Sequence, residues 1–294
     1  MQIGEKLIKG FWKICGANDL KRLSKQTYPS DLIEDNDIQY VDDGDVYHQL
    51  DVYYPKNSKG KLPVIIDIHG GGWFYGDKEL NKNYCLHLAQ RGFVVFNISY
   101  RLAPNVSVKE QLQDCMDALT CIGKAMNQYP CNKNRVFMTG DSAGGQLAAF
   151  AAAANSSERL RKIYATSKPD LKIKALALTS PVPFLTPTGL MKMYMPHILG
   201  KDYENQEFAS YIDFDKVVDA CDDFPPTIFF TSVADVVAEI QTVKAYRYLK
   251  SKGIKTKLSF SPKPLQHVYQ VLYPDDKDSV KAIEQMVKFF KKNA

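Results

Sequence analysis

The chain is predicted to fold as an α/β protein with a mainly parallel, eight-stranded sheet and helices on both faces. Short runs rich in β-branched and aromatic residues alternate with helical patterns along the chain, which is typical of a parallel sheet. Residues 63–68 form a nearly continuous apolar run, as expected for a strand that is covered on both faces. The predicted strands are residues 38–40, 46–54, 63–68, 93–99, 135–140, 173–179, 226–231 and 255–261.

Helical patterns fill the segments between these strands. Residues 1–30 alternate apolar and basic positions at roughly helical spacing, with Ile3, Leu7, Ile8, Phe11 and Ile14 as the apolar members. Two interpretations fit this stripe, a helix on a membrane surface and a helix packed over the rest of the protein, and packing is favoured. The other predicted helices are residues 81–91, 107–128, 142–154, 240–252 and 276–292.

Composition and charge are those of an ordinary globular protein. The 294 residues are 45% hydrophobic and carry a net charge of +5, and the lysines are scattered, so nucleic-acid binding has little support. Six cysteines show no C-x-x-C spacing, which favours free thiols in a reducing compartment. No continuous apolar segment of signal-peptide or membrane-spanning type is evident. We therefore expect a cytoplasmic protein without stable membrane insertion.

The residues around Ser142 form the strongest candidate for chemistry. Gly140-x-Ser142-x-Gly144 follows a strand pattern and precedes an alanine-rich helix pattern. In a nucleophile elbow the serine occupies a strained strand-to-helix turn, so the neighbouring residues must be small. Glycine meets this need because it has no Cβ. The pattern predicts that Ser142 is a nucleophile.

A serine nucleophile needs a base, and the base needs an acid that holds its tautomer. Of the five histidines, His267 lies in a loop after the last predicted strand, which fits the chain order serine, acid, histidine. Asp235 follows the strand at 226–231, at the end where catalytic loops gather, and Glu239 is the alternative acid. The predicted triad is Ser142, Asp235 and His267.

The glycine-rich run at residues 69–72 is a candidate oxyanion hole. Three consecutive glycines let backbone N–H groups turn towards a substrate, and the residue after the nucleophile, Ala143, would add a further donor. A tight turn without function and a phosphate-binding loop are the alternatives. Phosphate binding is less favoured because the sequence has no G-x-x-x-x-G-K-[ST] or G-x-G-x-x-G fingerprint.

Three motifs carry a family resemblance. His69-Gly-Gly-Gly-Trp73, Ser99-Tyr-Arg-Leu-Ala-Pro104 and Gly140-Asp-Ser-Ala-Gly-Gly145 resemble, in this order, motifs of the hormone-sensitive lipase-like family of α/β-hydrolases. The resemblance covers residues 46–270. It implies an α/β-hydrolase fold, Ser142, Asp235 and His267 as the triad, and oxyanion donors at Gly71, Gly72 and Ala143.

The resemblance also has departures and further implications. The family often has proline after the acid and glycine after the histidine, whereas this chain has Val236 and Val268. Family members commonly carry a cap, which here implies one domain over residues 1–294 with cap elements at about 1–35 and 183–222. Candidate substrate-binding residues are Trp73, Met191 and Tyr194.

The predicted function is a serine carboxylesterase that acts on short- to medium-chain acyl esters through an acyl-enzyme, without metal or organic cofactor. Acetyl or feruloyl esterase activity on sugar esters and arylformamidase activity are alternatives with the same triad. A lipase acting at a lipid interface is disfavoured because no strongly apolar exposed lid is evident. A non-catalytic ligand-binding homologue is the alternative of another class. The sequence leaves a homo-oligomer open.

Overall fold

The centre of the molecule is one eight-stranded sheet. The structure, a computed structural model, describes residues 2–185, 190–200 and 203–294. Its strands are β1 (Leu32–Gln39), β2 (Gln49–Pro55), β3 (Leu62–Ile68), β4 (Val94–Ile98), β5 (Cys131–Asp141), β6 (Ile173–Thr179), β7 (Thr227–Ser232) and β8 (Thr256–Ser261). Their spatial order is β1-β2-β4-β3-β5-β6-β7-β8. β3 to β8 are parallel, and β2 is antiparallel to β1 and β4. The predicted mainly parallel sheet is confirmed.

Helices cover both faces of this sheet. The α-helices of the described residues are α1 (Gln2–Leu23), α2 (Lys82–Gln90), α3 (Val108–Ala125), α4 (Ser142–Ser156), α5 (Glu158–Tyr164), α6 (Leu190–Ile198), α7 (Phe214–Asp219), α8 (Glu239–Ser251), α9 (Tyr269–Leu272) and α10 (Lys277–Lys292). Side chains of α3, α4 and α8 join the core on one face, and those of α2 and α10 join the core on the other. The helices therefore leave the strand ends as the accessible edge of the sheet.

The apolar run of β3 explains why it is buried on both sides. Val64, Ile66 and Ile68 point into one core, and Ile65 points into the other. Asp67 shares the second face with Ile65 and is also buried. A strand between two helical layers needs apolar side chains at odd and even positions alike.

The structure differs from the sequence prediction at the antiparallel edge. Val46–His48 is a 3₁₀ turn and not part of a strand, because the Asp45 side chain caps it by accepting a hydrogen bond from the Tyr47 N–H at 2.9 Å. The edge strand β1 occupies Leu32–Gln39, whereas the sequence predicted residues 38–40. Its exposed, polar pattern resembles a loop, which is common for an edge strand.

α1 and α6 lie together above the carboxyl ends of the strands. The Trp12 indole N–H of α1 donates to the Tyr194 hydroxyl of α6 at 3.0 Å, and the Trp12 ring stacks on Tyr75, which follows β3. The predicted cap element at 1–35 includes the beginning of the sheet, because β1 starts at Leu32. Met1, residues 186–189 and residues 201–202 of the predicted cap elements lie outside the described residues.

α1 is only partly packed against the domain. Ile8 is buried and Trp12 is half-buried, whereas Leu7, Phe11 and Ile14 of the same predicted stripe are exposed. The predicted apolar stripe is therefore divided between a face that packs on the domain and a face that is exposed. The helical period shows which residues share a face, but not which face the domain covers.

The cysteines are present as free thiols. Cys85, Cys115 and Cys131 are buried, and Cys15, Cys121 and Cys221 are half-buried. None of the helices in the described part of the chain combines the length and the apolar character required to cross a bilayer.

Candidate active site

Ser142 lies at the junction of β5 and α4, in the middle of the sheet. Its φ of 51° is left-handed, which costs energy for a residue with a Cβ and is the geometry of a nucleophile elbow. A Cβ at Gly144 would overlap the carbonyl oxygens of Ile68 and His69, and one at Gly140 would lie 2.5 Å from the Gly144 oxygen. The glycines therefore allow the close approach of strand and helix that the turn requires.

The structure joins Ser142, His267 and Asp235 into one hydrogen-bonded chain. His267 Nε2 lies 2.9 Å from Ser142 Oγ, and His267 Nδ1 lies 2.8 Å from Asp235 Oδ1. With the Nδ1 proton donated to the carboxylate, Nε2 is free to accept the serine proton. The three residues are far apart in sequence but follow the carboxyl ends of the parallel strands β5, β7 and β8.

Asp235 is fixed by the loop that follows β7. Its carboxylate accepts the Thr231 hydroxyl at 3.3 Å and the Ala238 N–H at 3.0 Å, in addition to His267. Burial of this residue, which is 1% exposed, would raise its pKa. Hydrogen bonds and the charge of His267, with hydrogen bonds from Ser180 and Ala238, outweigh burial and lower the pKa of Asp235. It is therefore held as a carboxylate.

Ser180, at the end of β6, connects the acid and the base, and sequence reasoning missed it. Its hydroxyl contributes to the lowered pKa of Asp235 and accepts the Val268 N–H at 3.5 Å. Both Ser180 and Val268 have left-handed φ angles, of 46° and 51°. Non-glycine residues in this region are uncommon and gather at functional sites. The residue type alone carried no signal, because Ser180 becomes informative only through tertiary contact.

The glycine loop after β3 presents unused backbone donors. Gly71 and Gly72 have positive φ angles of 119° and 58°. Within residues 2–185, 190–200 and 203–294, neither of their N–H groups has a hydrogen-bond acceptor. The Ala143 N–H lies in the first turn of α4, where helix geometry leaves N–H groups without intrahelical partners. Backbone donors are thus available on the two segments that flank Ser142.

Buried side chains brace this loop from below. The Gly70 N–H donates to Asp141 Oδ1 at 3.0 Å, and the Asn81 amide donates to both Asp141 and Asp67 at 2.9 and 2.8 Å. Burial, together with repulsion by Asp141, raises the pKa of Asp67 to about 8, although a hydrogen bond from Asn81 opposes this shift. Asp67 is therefore protonated at neutral pH, and Asn81 links it to the loop and the elbow.

His69 is not a competing base. Its Nδ1 proton is donated to the Gly70 carbonyl at 2.6 Å, its ring stacks on Tyr100, and its carbonyl accepts the Tyr100 hydroxyl at 2.9 Å. Burial lowers the pKa of His69 to about 4, so the ring is neutral and acts as a rigid support for the loop. Nothing brings it to Ser142.

The predicted substrate-binding residues occupy different environments. Trp73 is buried, and its indole N–H donates to Gln146 of α4 at 2.8 Å. Met191 and Tyr194 are half-buried on α6, where the Tyr194 ring contacts Phe74 edge-on. Their role in substrate binding stays a prediction.

The described residues contain no group of three or more His, Cys, Asp or Glu side chains placed to hold a metal ion. The side chains around Ser142 are instead arranged for proton transfer between Ser142 and His267. The arrangement can generate an alkoxide-like nucleophile next to backbone N–H donors.

Solved structures resemble this chain over nearly its full length. The crystal structure of Esterase B from Lactobacillus Rhamnosis (HN001) is 28% identical, with a TM-score of 0.94 over 99% of this chain and 95% of that chain. A tributyrin phosphonate-inhibited form of Esterase B matches equally well, at 27% identity and a TM-score of 0.94. Bacterial heroin esterase, at 21% identity and a TM-score of 0.75, shows the fold alone.

Sequence relatives match shorter segments. The probable isoprenylcysteine alpha-carbonyl methylesterase of Oryza sativa subsp. japonica is 31% identical over 35% of this chain, and the match spans 25% of that protein. The chain thus matches about a quarter of the length of this plant relative. The probable carboxylic ester hydrolase LipM of Mycobacterium tuberculosis is 24% identical over 82% of this chain and 58% of its own length.

A family model spans the segment that holds the elbow, the glycine loop and Asp235. Residues 50–246, about two thirds of the chain, match the model named BD-FAE. The chain therefore belongs to the BD-FAE family, within the hormone-sensitive lipase-like α/β-hydrolases that its motifs resemble.

Proposed function

We propose that the protein is a serine carboxylesterase that hydrolyses short- to medium-chain acyl esters through an acyl-enzyme. The observation that carries the proposal is the unbroken chain from Ser142 Oγ to His267 Nε2 at 2.9 Å and from His267 Nδ1 to Asp235 at 2.8 Å. A serine hydroxyl becomes a nucleophile only when a base takes its proton, and this geometry provides the base.

In the first half-reaction, Ser142 Oγ attacks the carbonyl carbon of the ester while its proton passes to His267 Nε2. Asp235 stabilises the resulting imidazolium through the hydrogen bond to Nδ1. The negative charge that forms on the carbonyl oxygen is stabilised by the N–H groups of Gly71, Gly72 and Ala143. Collapse of this intermediate expels the alkoxide, which takes the proton from His267 and leaves as the alcohol.

In the second half-reaction, a water molecule attacks the acyl-serine. His267 takes the water proton, the same backbone donors stabilise the second oxyanion, and the acid product leaves as Ser142 recovers its proton. The backbone donors are fixed by glycine conformation and by the Gly70–Asp141 hydrogen bond, so little reorganisation is needed when charge develops.

The substrate class rests on the relatives. Esterase B is inhibited by a tributyrin phosphonate, and LipM is named a probable carboxylic ester hydrolase. Short acyl chains also fit a site that α1 and α6 cover with Trp12 and Tyr194, which leaves limited room above Gly72. We assign Met191, Tyr194 and Trp73 to the walls and floor of this site.

The proposal extends to the organisation of the chain. We treat residues 1–294 as one domain in which segments at about 1–35 and 183–222 contribute the cap, because α1 and α6 contact each other above the strand ends. The six free thiols support residence in a reducing compartment such as the cytoplasm.

Hydrolysis of p-nitrophenyl acetate, butyrate and octanoate tests the function. The wild-type protein should cleave the short esters, and Ser142→Ala should lower kcat by a factor on the order of 10⁶. Ser251→Ala, at an exposed position of α8, is the matched control and should keep full activity. Hydrolysis that persists in Ser142→Ala, or binding of esters without turnover by the wild-type protein, would refute the proposal.

A further inference from the structure

α1 carries an apolar strip that the domain does not cover. Leu7, Phe11 and Ile14 follow one another at i, i+4 and i+7, so they share one face of the helix. These residues, which we call the apolar strip, are 61%, 55% and 65% exposed. The adjacent face of the helix packs on the domain through Ile8 and Trp12. The apolar strip is therefore not the face by which α1 packs on the domain.

Lysines flank the apolar strip. α1 contains five basic and two acidic side chains, a net charge of +3 in a protein whose total is +5. Lys9 pairs with Glu5, and Arg22 pairs with Asp19. Lys6, Lys13 and Lys21 are exposed and have no ionic partner within the described part of the chain. The surface of α1 is thus apolar along one edge and cationic beside it.

The apolar strip lies next to the candidate active site. The Phe11 ring contacts the Trp12 ring edge-on, with 5.2 Å between centroids. Trp12 in turn lies so close to Gly72 that a Cβ on this glycine would overlap the indole. One aromatic side chain therefore separates the apolar strip from the glycine loop.

Exposed apolar residues also occur on the other side of the site. Val233, Val236, Val237 and Ile240 surround the buried Asp235, and Val236 is 96% exposed. They follow the carboxyl end of β7, whereas α1 lies above the loop that follows β3, and β5 with Ser142 lies between these strands. Apolar surface thus borders the same edge of the sheet on both sides of Ser142.

We propose that this face docks onto the surface of an anionic lipid bilayer, with the apolar strip inserted at the headgroup level and the lysines of α1 against the phosphates. A helix with an apolar edge and adjacent lysines is suited to lie in the plane of such a surface. Each lysine near an anionic membrane adds electrostatic attraction, and the unpaired Lys6, Lys13 and Lys21 supply it. Docking in this orientation turns the edge of the sheet that holds Ser142 towards the lipid.

Charge disfavours a second copy of the chain as the occupant. In a two-fold contact through the apolar strip, α1 would face α1, and the lysines of each copy would lie opposite those of the other. The two chains would then repel each other where an anionic bilayer attracts. The lysines of α1 therefore favour an anionic lipid surface over a second copy of the chain as the occupant.

Co-sedimentation with vesicles tests this docking directly. The full chain should bind vesicles of equal parts phosphatidylcholine and phosphatidylglycerol about tenfold more strongly than vesicles of phosphatidylcholine alone. Leu7→Ser/Phe11→Ser/Ile14→Ser should lower binding to both vesicles by about tenfold or more, because three exposed apolar side chains no longer insert. Protein mass in the pellet is the readout, so the result is independent of the proposed esterase activity.

Two further variants separate the contributions. Leu20→Ser is the matched control, since Leu20 is 72% exposed on the same helix but on a different face, and binding should stay within about twofold of wild type. Lys6→Gln/Lys13→Gln/Lys21→Gln should abolish the preference for phosphatidylglycerol while retaining the weaker binding to phosphatidylcholine. A thermal melt of each variant checks that α1 substitutions leave the fold intact.

Two results would overturn the inference. Equal sedimentation of the triple serine variant and the wild type would mean that the apolar strip does not meet the bilayer. A wild-type dimer that the triple variant converts to a monomer, with unchanged vesicle binding, would assign the apolar strip to a contact between two copies of the chain.

Discussion

The carboxyl edge of the sheet and the cap above it are held by different kinds of contact. At the sheet edge, Ser142 sits between a strand and a buried helix, and its carbonyl accepts the Val182 N–H at 3.1 Å. Asp235 is fixed in the same way by backbone and side-chain donors. α1 is held mainly by side chains, including the hydrogen bond of Trp12 to Tyr194 and the Arg22 and Gln26 bonds to the Leu272 carbonyl.

This difference separates two properties of the protein. The groups proposed to react are positioned by the sheet, whose strands cannot shift without disturbing both cores. The cap depends on a few ring and side-chain contacts, so its substitutions can change access to Ser142 while the triad geometry stays the same. Substitutions at the sheet edge should therefore affect chemistry more than substitutions in the cap.

After the loss of the nucleophile in Ser142→Ala, the largest effect is expected at the acid. Asp235→Asn keeps the size of the side chain but favours the wrong tautomer of His267, so kcat should fall by about 10⁴-fold. Glu239→Gln is the matched control, because the same acid-to-amide change one helical turn later leaves the hydrogen bond to His267 intact. Kinetics on p-nitrophenyl butyrate compare the two. A larger loss in Glu239→Gln would move the acid to that residue.

Substitutions in the glycine loop test which of its residues belong to the fixed sheet edge and which depend on the cap. Gly71 has a φ of 119°, and a Cβ at this position would overlap the Tyr75 carbonyl. In Gly71→Ala the backbone must therefore move, and kcat/KM should fall by about 10²–10³-fold. At Gly72, where φ is 58°, the atoms nearest to an added Cβ belong to the Trp12 ring. The loss of kcat/KM in Gly72→Ala should therefore be smaller, and Trp12→Ala should relieve it. Trp12→Ala should not relieve the loss in Gly71→Ala.

A double-mutant cycle measures this coupling between Gly72 and Trp12. Equal rescue of Gly71→Ala and Gly72→Ala by Trp12→Ala would show that the loop and the cap are one mechanical unit. That result would remove the distinction between a fixed sheet edge and a separable cap.

The buried Asp67 below the elbow should make the stability of the protein depend on pH. The pKa of Asp67 is raised to about 8 in the folded protein, above the value of about 3.9 for an unfolded aspartate. From about pH 4 to pH 8 the unfolded chain releases this proton while the folded chain keeps it, so the contribution to stability falls as pH rises. The loss is on the order of a few kcal/mol.

Asp67→Asn removes this titration and keeps an oxygen that can accept the Asn81 amide. The melting temperature of the variant should therefore rise relative to wild type by several degrees between pH 5 and pH 8. Asp42→Asn, at an exposed position, is the matched control. A difference between Asp67→Asn and wild type that does not change with pH would contradict a protonated Asp67.

Much of the fold could be predicted from the sequence because local patterns carry it. The continuous apolar run of β3 and the small residues around Ser142 describe their own surroundings, since a buried strand and a tight turn each restrict the residues they accept. His267 and Asp235 could be selected by their position after strands. The edge strand β1 was missed because its polar residues face solvent and carry no such restriction.

The remaining features depend on contacts between distant segments. Ser180 gains its significance from Asp235 and Val268, and Asn81 from Asp67 and Asp141. No local sequence pattern around a serine or an asparagine identifies such distant partners. For α1 the helical period could be predicted, but the choice of which face the domain buries is made by Gly72 and Tyr75.

Covalent labelling of Ser142 tests the central claim most directly. A fluorophosphonate probe reacts with a serine that a neighbouring histidine activates, and mass spectrometry of the digested protein locates the adduct. We predict one adduct, on Ser142, that forms in proportion to the loss of p-nitrophenyl butyrate hydrolysis and is absent in Asp235→Asn on the same time scale. Full hydrolysis with Ser142 labelled, or loss of activity with the adduct on another residue, would contradict the account.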